Sequence, residues 1–187
     1  AVVAAGTSGN VIVSTAGGSD TLAGFIYGVP YSSIEVLAAW NKRNTNSTTY
    51  PLVADVTNAS LVTTASHTYN GLLTVNHANN AWSNSNNSNV LDIATAPYLS
   101  YAVQTSRSVK FDRVVIPGLE LLLSGNLQLR WSVDNFATSL GEFTGGVSPA
   151  VRLTSVNLAT LATQPAGSIE FRVYFYNAAE TEINYFT

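Results

Sequence analysis

The chain has 187 residues with 8 basic and 11 acidic side chains, a net charge of −3; no basic stripe is available to neutralise phosphates, which disfavours nucleic-acid binding. Hydrophobic residues make up 46 %, but charged ones only 10 % against a typical quarter, and Asn, Ser, Thr and Gly fill the gap. That mixture suits strands and turns, because Ser, Thr and Asn compete with a helical backbone for hydrogen bonds. No apolar run approaches the ~20 residues of a membrane span.

The N-terminal residues 1–36 read as an extension. Residues 1–15 are small, apolar and uncharged, and Val2, Val3, Val11, Ile12 and Val13 are its candidate self-assembly residues. Two strand-like stretches, 11–14 and 22–27, flank the turn signal Gly17-Gly18. Residues 34–40 form the next strand candidate and end at Trp40, which the pattern leaves half buried. Strands are expected at 60–64 and 72–76, on either side of Asn70-Gly71, so that His67 and His77 could pair across a hairpin. Two histidines do not make a structural zinc site, and the simpler expectation is a pair of surface histidines. Residues 76–89 carry seven asparagines around Trp82 and read as a long surface loop.

Period-2 alternation is clearest in the second half. In 98–105, Leu99, Tyr101 and Val103 share one face. Strands at 109–116 and 119–123 are separated by Pro117-Gly118, and Ser124-Gly125 reads as a tight hairpin into the next strand, 126–134. There Leu127, Leu129, Trp131 and Val133 point inward, and Gln128, Arg130, Ser132 and Asp134 outward. After Gly145-Gly146 comes a strand at 150–156, then one or two helical turns within 155–163, stopped by Pro165. In 168–176, Ile169, Phe171, Val173 and Phe175 face in, while Glu170, Arg172, Tyr174 and Tyr176 face out. A last strand is expected at 182–186. Many short strands at this spacing predict a β-sandwich.

Composition also bears on compartment. The chain has neither methionine nor cysteine. Its first residues, Ala1-Val2-Val3-Ala4-Ala5-Gly6, would suit the region after a signal-peptide cut, although removal of an initiator alone would also leave Ala1. Lacking both easily oxidised side chains suits long exposure outside a cell. The expectation is a secreted protein of the cell surface or extracellular space.

The residues do not equip a catalytic centre. Neither histidine lies near a nucleophile-elbow motif. Asp134, Glu142 and Glu170 are the candidates for converging glycosidase carboxylates, but Arg130 and Arg172 lie near two of them on the same strand faces, and ion pairs explain them better. No catalytic, cofactor or metal residue is assigned, with Asp92 and Asp112 as the candidates for a Ca²⁺ site. For glycan contact the candidates are Trp82, Tyr174 and Tyr176, read as exposed rings; Trp131 belongs to the core. Three acceptor patterns for N-glycosylation, at Asn46, Asn58 and Asn86, are close to chance in so Asn-rich a chain.

From Leu37 onward the chain resembles a recurrent jelly-roll domain of bacterial surface and secreted proteins, many of which carry a sorting tail of the PEP-CTERM or a comparable type. The resemblance rests on Leu37-Ala38-Ala39-Trp40-Asn41, Asp92-Ile93-Ala94, and 97–103. It continues through Leu129-Arg130-Trp131-Ser132-Val133-Asp134-Asn135-Phe136-Ala137 and 169–178. It implies an all-β fold, a jelly-roll β-sandwich of two antiparallel sheets over 37–187, exported to the surface or biofilm matrix, with no established catalytic residues. The extra N-terminal strand-forming segment departs from it.

Two functions follow as expectations. In the first, the chain is a non-enzymatic structural protein whose N-terminal segment adds a strand to a neighbour, building a homo-oligomer or filament. In the second, it is a carbohydrate-binding module or adhesin whose partner is a polysaccharide.

Overall fold

The computed structural model describes residues 9–15, 18–25, 35–40, 51–71, 73–76, 81–84, 88–121, 125–145, 151–177 and 181–185. These residues are strand, turn, bend or irregular, with one 3-10 turn and no α-helix among them, as the composition predicted. The chain divides into two compact units, Ala1–Ile34 and Glu35–Thr187.

In the first unit, β1 (Gly9–Thr15) pairs antiparallel with β2 (Gly18–Phe25), and Thr15 faces Gly18. The two strands cover the stretches 11–14 and 22–25 of the expected ones, on either side of the Gly17-Gly18 turn signal.

The second unit holds thirteen described strands. They are β3 (Ala38–Ala39), β4 (Leu52–Val53), β5 (Val56–Thr57), β6 (Val62–Asn70), β7 (Leu73–Asn76), β8 (Ala81–Asn84), β9 (Tyr98–Thr105), β10 (Arg113–Leu121), β11 (Gly125–Trp131), β12 (Gly141–Gly145), β13 (Val151–Asn157), β14 (Gly167–Tyr176) and β15 (Thr181–Tyr185). A six-stranded antiparallel sheet has the order β12-β11-β14-β9-β6-β4. A five-stranded sheet runs β13-β10-β15-β8-β7, and β3 pairs with β5.

Alternation explains where the core lies. The register sets Leu129 beside Val173 and Val173 beside Leu99, and sets Trp131 beside Phe171 and Phe171 beside Tyr101. All six are buried, as are Leu127, Ile169, Val103 and Phe175. Against this face pack Ile116 of β10 and Val156 of β13, together with Val109 and Leu158 from the adjoining segments. The predicted inward stripes are therefore correct except at Val133. There the strand stops at Trp131, a 3-10 turn over Ser132–Asp134 lifts the chain away, and Val133 is 45 % exposed.

Glycine and proline signals proved ambiguous between turning the chain and bending it. Pro117-Gly118 does not separate two strands. β10 runs through, with a register shift against β13 between Val115 and Leu119, and a bulge is where a strand tolerates a residue without an N–H. Ser124-Gly125 is not a tight hairpin, because β10 and β11 belong to different sheets. Asn70-Gly71 likewise connects β6 and β7 of different sheets; Gly71 has φ +68°, and a Cβ there would lie 3.2 Å from Pro97 Cβ. β6 and β7 therefore do not form the hairpin across which the two histidines were expected to pair. His67 is not on the surface: its exposure is 5 %, its ring stacks on Tyr101 at 4.5 Å, and its Nδ1 lies 3.0 Å from the Ser100 carbonyl. His77 falls outside the described residues.

Other expectations shift for local reasons. The helical reading of 155–163 gives way to β13 and a turn in which Asn157 Oδ1 accepts the Ala159 N–H, a side-chain bond that competes with helix. The presumed loop 76–89 contains β8, which pairs with β7 and β15. Among the described residues 35–40 only Ala38–Ala39 is strand, and Trp40 is half buried as expected, edge-on to Tyr101.

Candidate functional site

The face of the six-stranded sheet opposite the core carries its charged and hydroxylated side chains. Register aligns Glu142, Gln128, Tyr174, Tyr98 and Asn70 in one row across five strands. The next row holds Arg130, Arg172, Ser100 and Thr68.

Arg172 is the hub. Its guanidinium carbon lies 3.9 Å from the Phe136 ring centroid and 4.3 Å from that of Tyr98, so it sits against two aromatic rings. Its Nε donates to Glu170 Oε1 at 2.7 Å, Nη2 to Glu170 Oε2 at 3.2 Å, and Nη1 to the Tyr174 hydroxyl at 3.2 Å. Ser100 Oγ donates to the same carboxylate at 2.6 Å. This fork-to-fork pairing on an aromatic face uses geometry that only arginine has. Burial opposes the charged guanidinium, but its bonds to Glu170 and Tyr174 outweigh that and hold its pKa above the ordinary value.

Phe136 reaches Arg172 by an unusual route. Asn135 and Phe136 both adopt left-handed backbone, φ 56° and 60°, which a bulky side chain seldom does. Two devices hold the loop. Arg130 Nη1 donates to the carbonyls of Phe136 at 2.6 Å and Ala137 at 2.5 Å. The Asp134 carboxylate accepts the N–H groups of Ala137 and Thr138. Of the expected ion pairs, Glu170 with Arg172 forms; Asp134 and Arg130 instead each bind this loop's backbone.

This loop corrects the reading of the tyrosines. Tyr174 and Tyr176 do point away from the core, but their exposures are 0 % and 5 %. Tyr98 and Phe136 both approach the Tyr174 ring edgewise. The Tyr176 hydroxyl donates to Glu142. Neither ring offers a free face for stacking a sugar. Trp82 lies on β8, opposite Thr74 and Ile183.

The phenols carry a pH signature. Burial and the neighbouring Glu142 carboxylate push Tyr176 up to about 12; burial also raises Tyr174, with Arg172 opposing. A raised phenol favours the folded state while neutral. Its contribution is complete below the ordinary value near 10 and is lost as pH rises to about 12. The urea midpoint should therefore fall across this window, and Tyr176→Phe should remove one proton's worth of that slope. An unchanged slope in Tyr176→Phe would contradict this.

The calcium candidates have other partners. Asp92 Oδ1 accepts the Ala94 N–H and Oδ2 the Thr95 hydroxyl, bonds that lower its carboxyl pKa and shape a turn. Asp112 pairs with the Arg113 Nε at 2.7 Å. Among the described residues no three His, Cys, Asp or Glu side chains group as metal ligands. Of the glycosylation patterns, Asn58 is described: Ser60 N and Oγ donate to its Oδ1, and its Nδ2 donates to Glu35.

Of the self-assembly candidates, Val11, Ile12 and Val13 lie on β1, facing Leu22, Thr21 and Asp20 of β2. Val2 and Val3 fall outside the described residues. β1 and β2 enter neither large sheet, so each has one strand partner among the described residues. A lone two-stranded ribbon is marginal in water and presents unpaired edges.

Sequence reasoning missed Phe136 and Tyr98. The local signal was Asp134-Asn135, a turn pair directly ahead of an aromatic. Comparisons with protein-family models, curated proteins and solved structures give no match.

Proposed function

We propose that the chain is a non-enzymatic, exported structural subunit of a cell surface or extracellular matrix, which assembles into filaments by adding its N-terminal strand to a neighbouring copy. In this reading residues 37–187 are a jelly-roll β-sandwich of the bacterial surface type. The shared core of Ile116 and Val156 with the six-stranded face supports the two-layer arrangement.

The observation that carries the reading is the pairing of β1. If the apolar Val11-Ile12-Val13 stretch served to complete the chain's own sheet, it would lie in the strand order of one of the large sheets. It pairs with β2 alone among the described residues. An uncharged seven-residue strand with an open edge is suited to strand addition. A head-to-tail contact of that kind propagates without closing. The carbohydrate-binding alternative loses two of its three candidate rings with the burial of Tyr174 and Tyr176.

Negative-stain microscopy of the purified chain, beside a chain lacking residues 1–15 and an Ile12→Pro variant, tests this. Fibres are expected from the unaltered chain and are expected to vanish in both others, because the proline removes a ladder donor. Monodisperse particles in all three, with retention on polysaccharide gels, would favour the carbohydrate reading.

A further inference from the structure

Strand addition needs an acceptor, and the sheet edges differ in how well they could serve. Resting on the assembly proposed above, we infer that the acceptor is the free edge of β13 in a second copy. The two large sheets end in four strands, β12, β4, β13 and β7. Proteins blunt unwanted edges with short strands, bulges, prolines and charged side chains, and glycine weakens a strand. β4 has two residues and directly follows Pro51. β7 has four and carries a register shift at Thr74/Asn76. β12 has five and is bounded by Gly141 and Gly145.

β13 has none of these devices beyond a single charge, Arg152, which the register sets opposite Glu120 of β10. It is seven residues long, Val151-Arg152-Leu153-Thr154-Ser155-Val156-Asn157, rich in β-branched residues and without glycine or proline. The irregularity in its ladder belongs to its partner. Between Ser155 and Leu153 the β13 side advances two residues while β10 advances four, from Val115 to Leu119, so the extra residues bulge from β10 and β13 stays regular. Its other side has no strand partner among the described residues. β1 is also seven residues long, so the two can pair over their full lengths.

The absence of cysteine makes this testable without background. The full-length chain is prepared as Ile12→Cys, and separately as Ser155→Cys, Thr144→Cys and Val53→Cys; these last three native positions are exposed and lie on β13, β12 and β4. Ile12→Cys is mixed with each partner under mild oxidation, and light scattering and non-reducing gels are read together. A disulfide-linked heterodimer is expected with Ser155→Cys and not with the other two. Cross-linking to Thr144→Cys or Val53→Cys in its place, or assembly without any heterodimer, would overturn β13 as acceptor and leave strand-mediated assembly standing. Failure of the unaltered chain to assemble at all would remove both.

Discussion

Phe171→Ala is expected to lose about 3–5 kcal/mol of folding stability, the range for a buried aromatic truncated to alanine. Phe171 sits in the middle of β14, itself an interior strand of the six-stranded sheet. The register places Trp131 on one side and Tyr101 on the other. Phe111, just before β10, meets its ring edge-to-face at 5.1 Å, and Trp131 lies tilted at 6.2 Å. The ring thus links three strands of one sheet to the segment leading into the other. The hole left by alanine cannot close cheaply, because Trp131 and Tyr101 belong to hydrogen-bonded strands that resist movement. Against a total stability of roughly 5–15 kcal/mol this is a large fraction. In urea the midpoint should drop with an unchanged slope, and Phe171→Leu, which keeps most of the volume, should cost far less. A loss below about 1 kcal/mol for Phe171→Ala would mean that the interior there is loosely packed.

The second large effect is expected on the opposite face of the same strand. Arg172→Ala should cost about 2–4 kcal/mol, above an exposed ion pair and toward the value for breaking a buried one. The Arg172 and Glu170 side chains are only 22 % and 25 % exposed, so removing the guanidinium strands a half-buried carboxylate. Ser100 alone cannot replace the lost fork, and Phe136 and Tyr98 lose their cation. Because the stranded charge is the main term, adding Glu170→Gln to Arg172→Ala should recover part of the loss. Arg172→Lys should rescue poorly, since an ammonium cannot bond Glu170 and Tyr174 together while lying flat on two rings. Amide exchange should quicken in 132–138, where the loop would lose its aromatic anchor. Equal stability of Arg172→Lys and the unaltered chain would show that charge suffices and the planar geometry does not matter.

These two residues also mark how far the fold was legible beforehand. Phe171 was placed correctly by alternation alone, because period 2 is a property of any strand and needs no knowledge of its neighbours. The same holds for Leu99, Tyr101, Val103, Leu127, Leu129, Trp131, Ile169, Val173 and Phe175. Arg172, Glu170, Tyr174 and Tyr176 were also assigned to the correct face. Their burial was not foreseen, because alternation separates two faces but does not say what covers either. Over Arg172 and Tyr174 the cover is a loop whose path depends on left-handed backbone at Asn135 and Phe136, and nothing in the local alternation signals it.

Composition and periodicity by themselves determined that this protein is built of strands and which side chains fill its interior, since both follow from the shape of the extended backbone and the aversion of apolar groups to water. Tertiary structure decided which strands are neighbours. It made Pro117-Gly118 a bulge and put β10 and β11 in different sheets, although the same dipeptides can close a hairpin; the choice lies in the long-range hydrogen bonds of the strands. It also placed β1 beside β2 rather than within a large sheet, and pairing between distant segments is information that a local pattern does not contain.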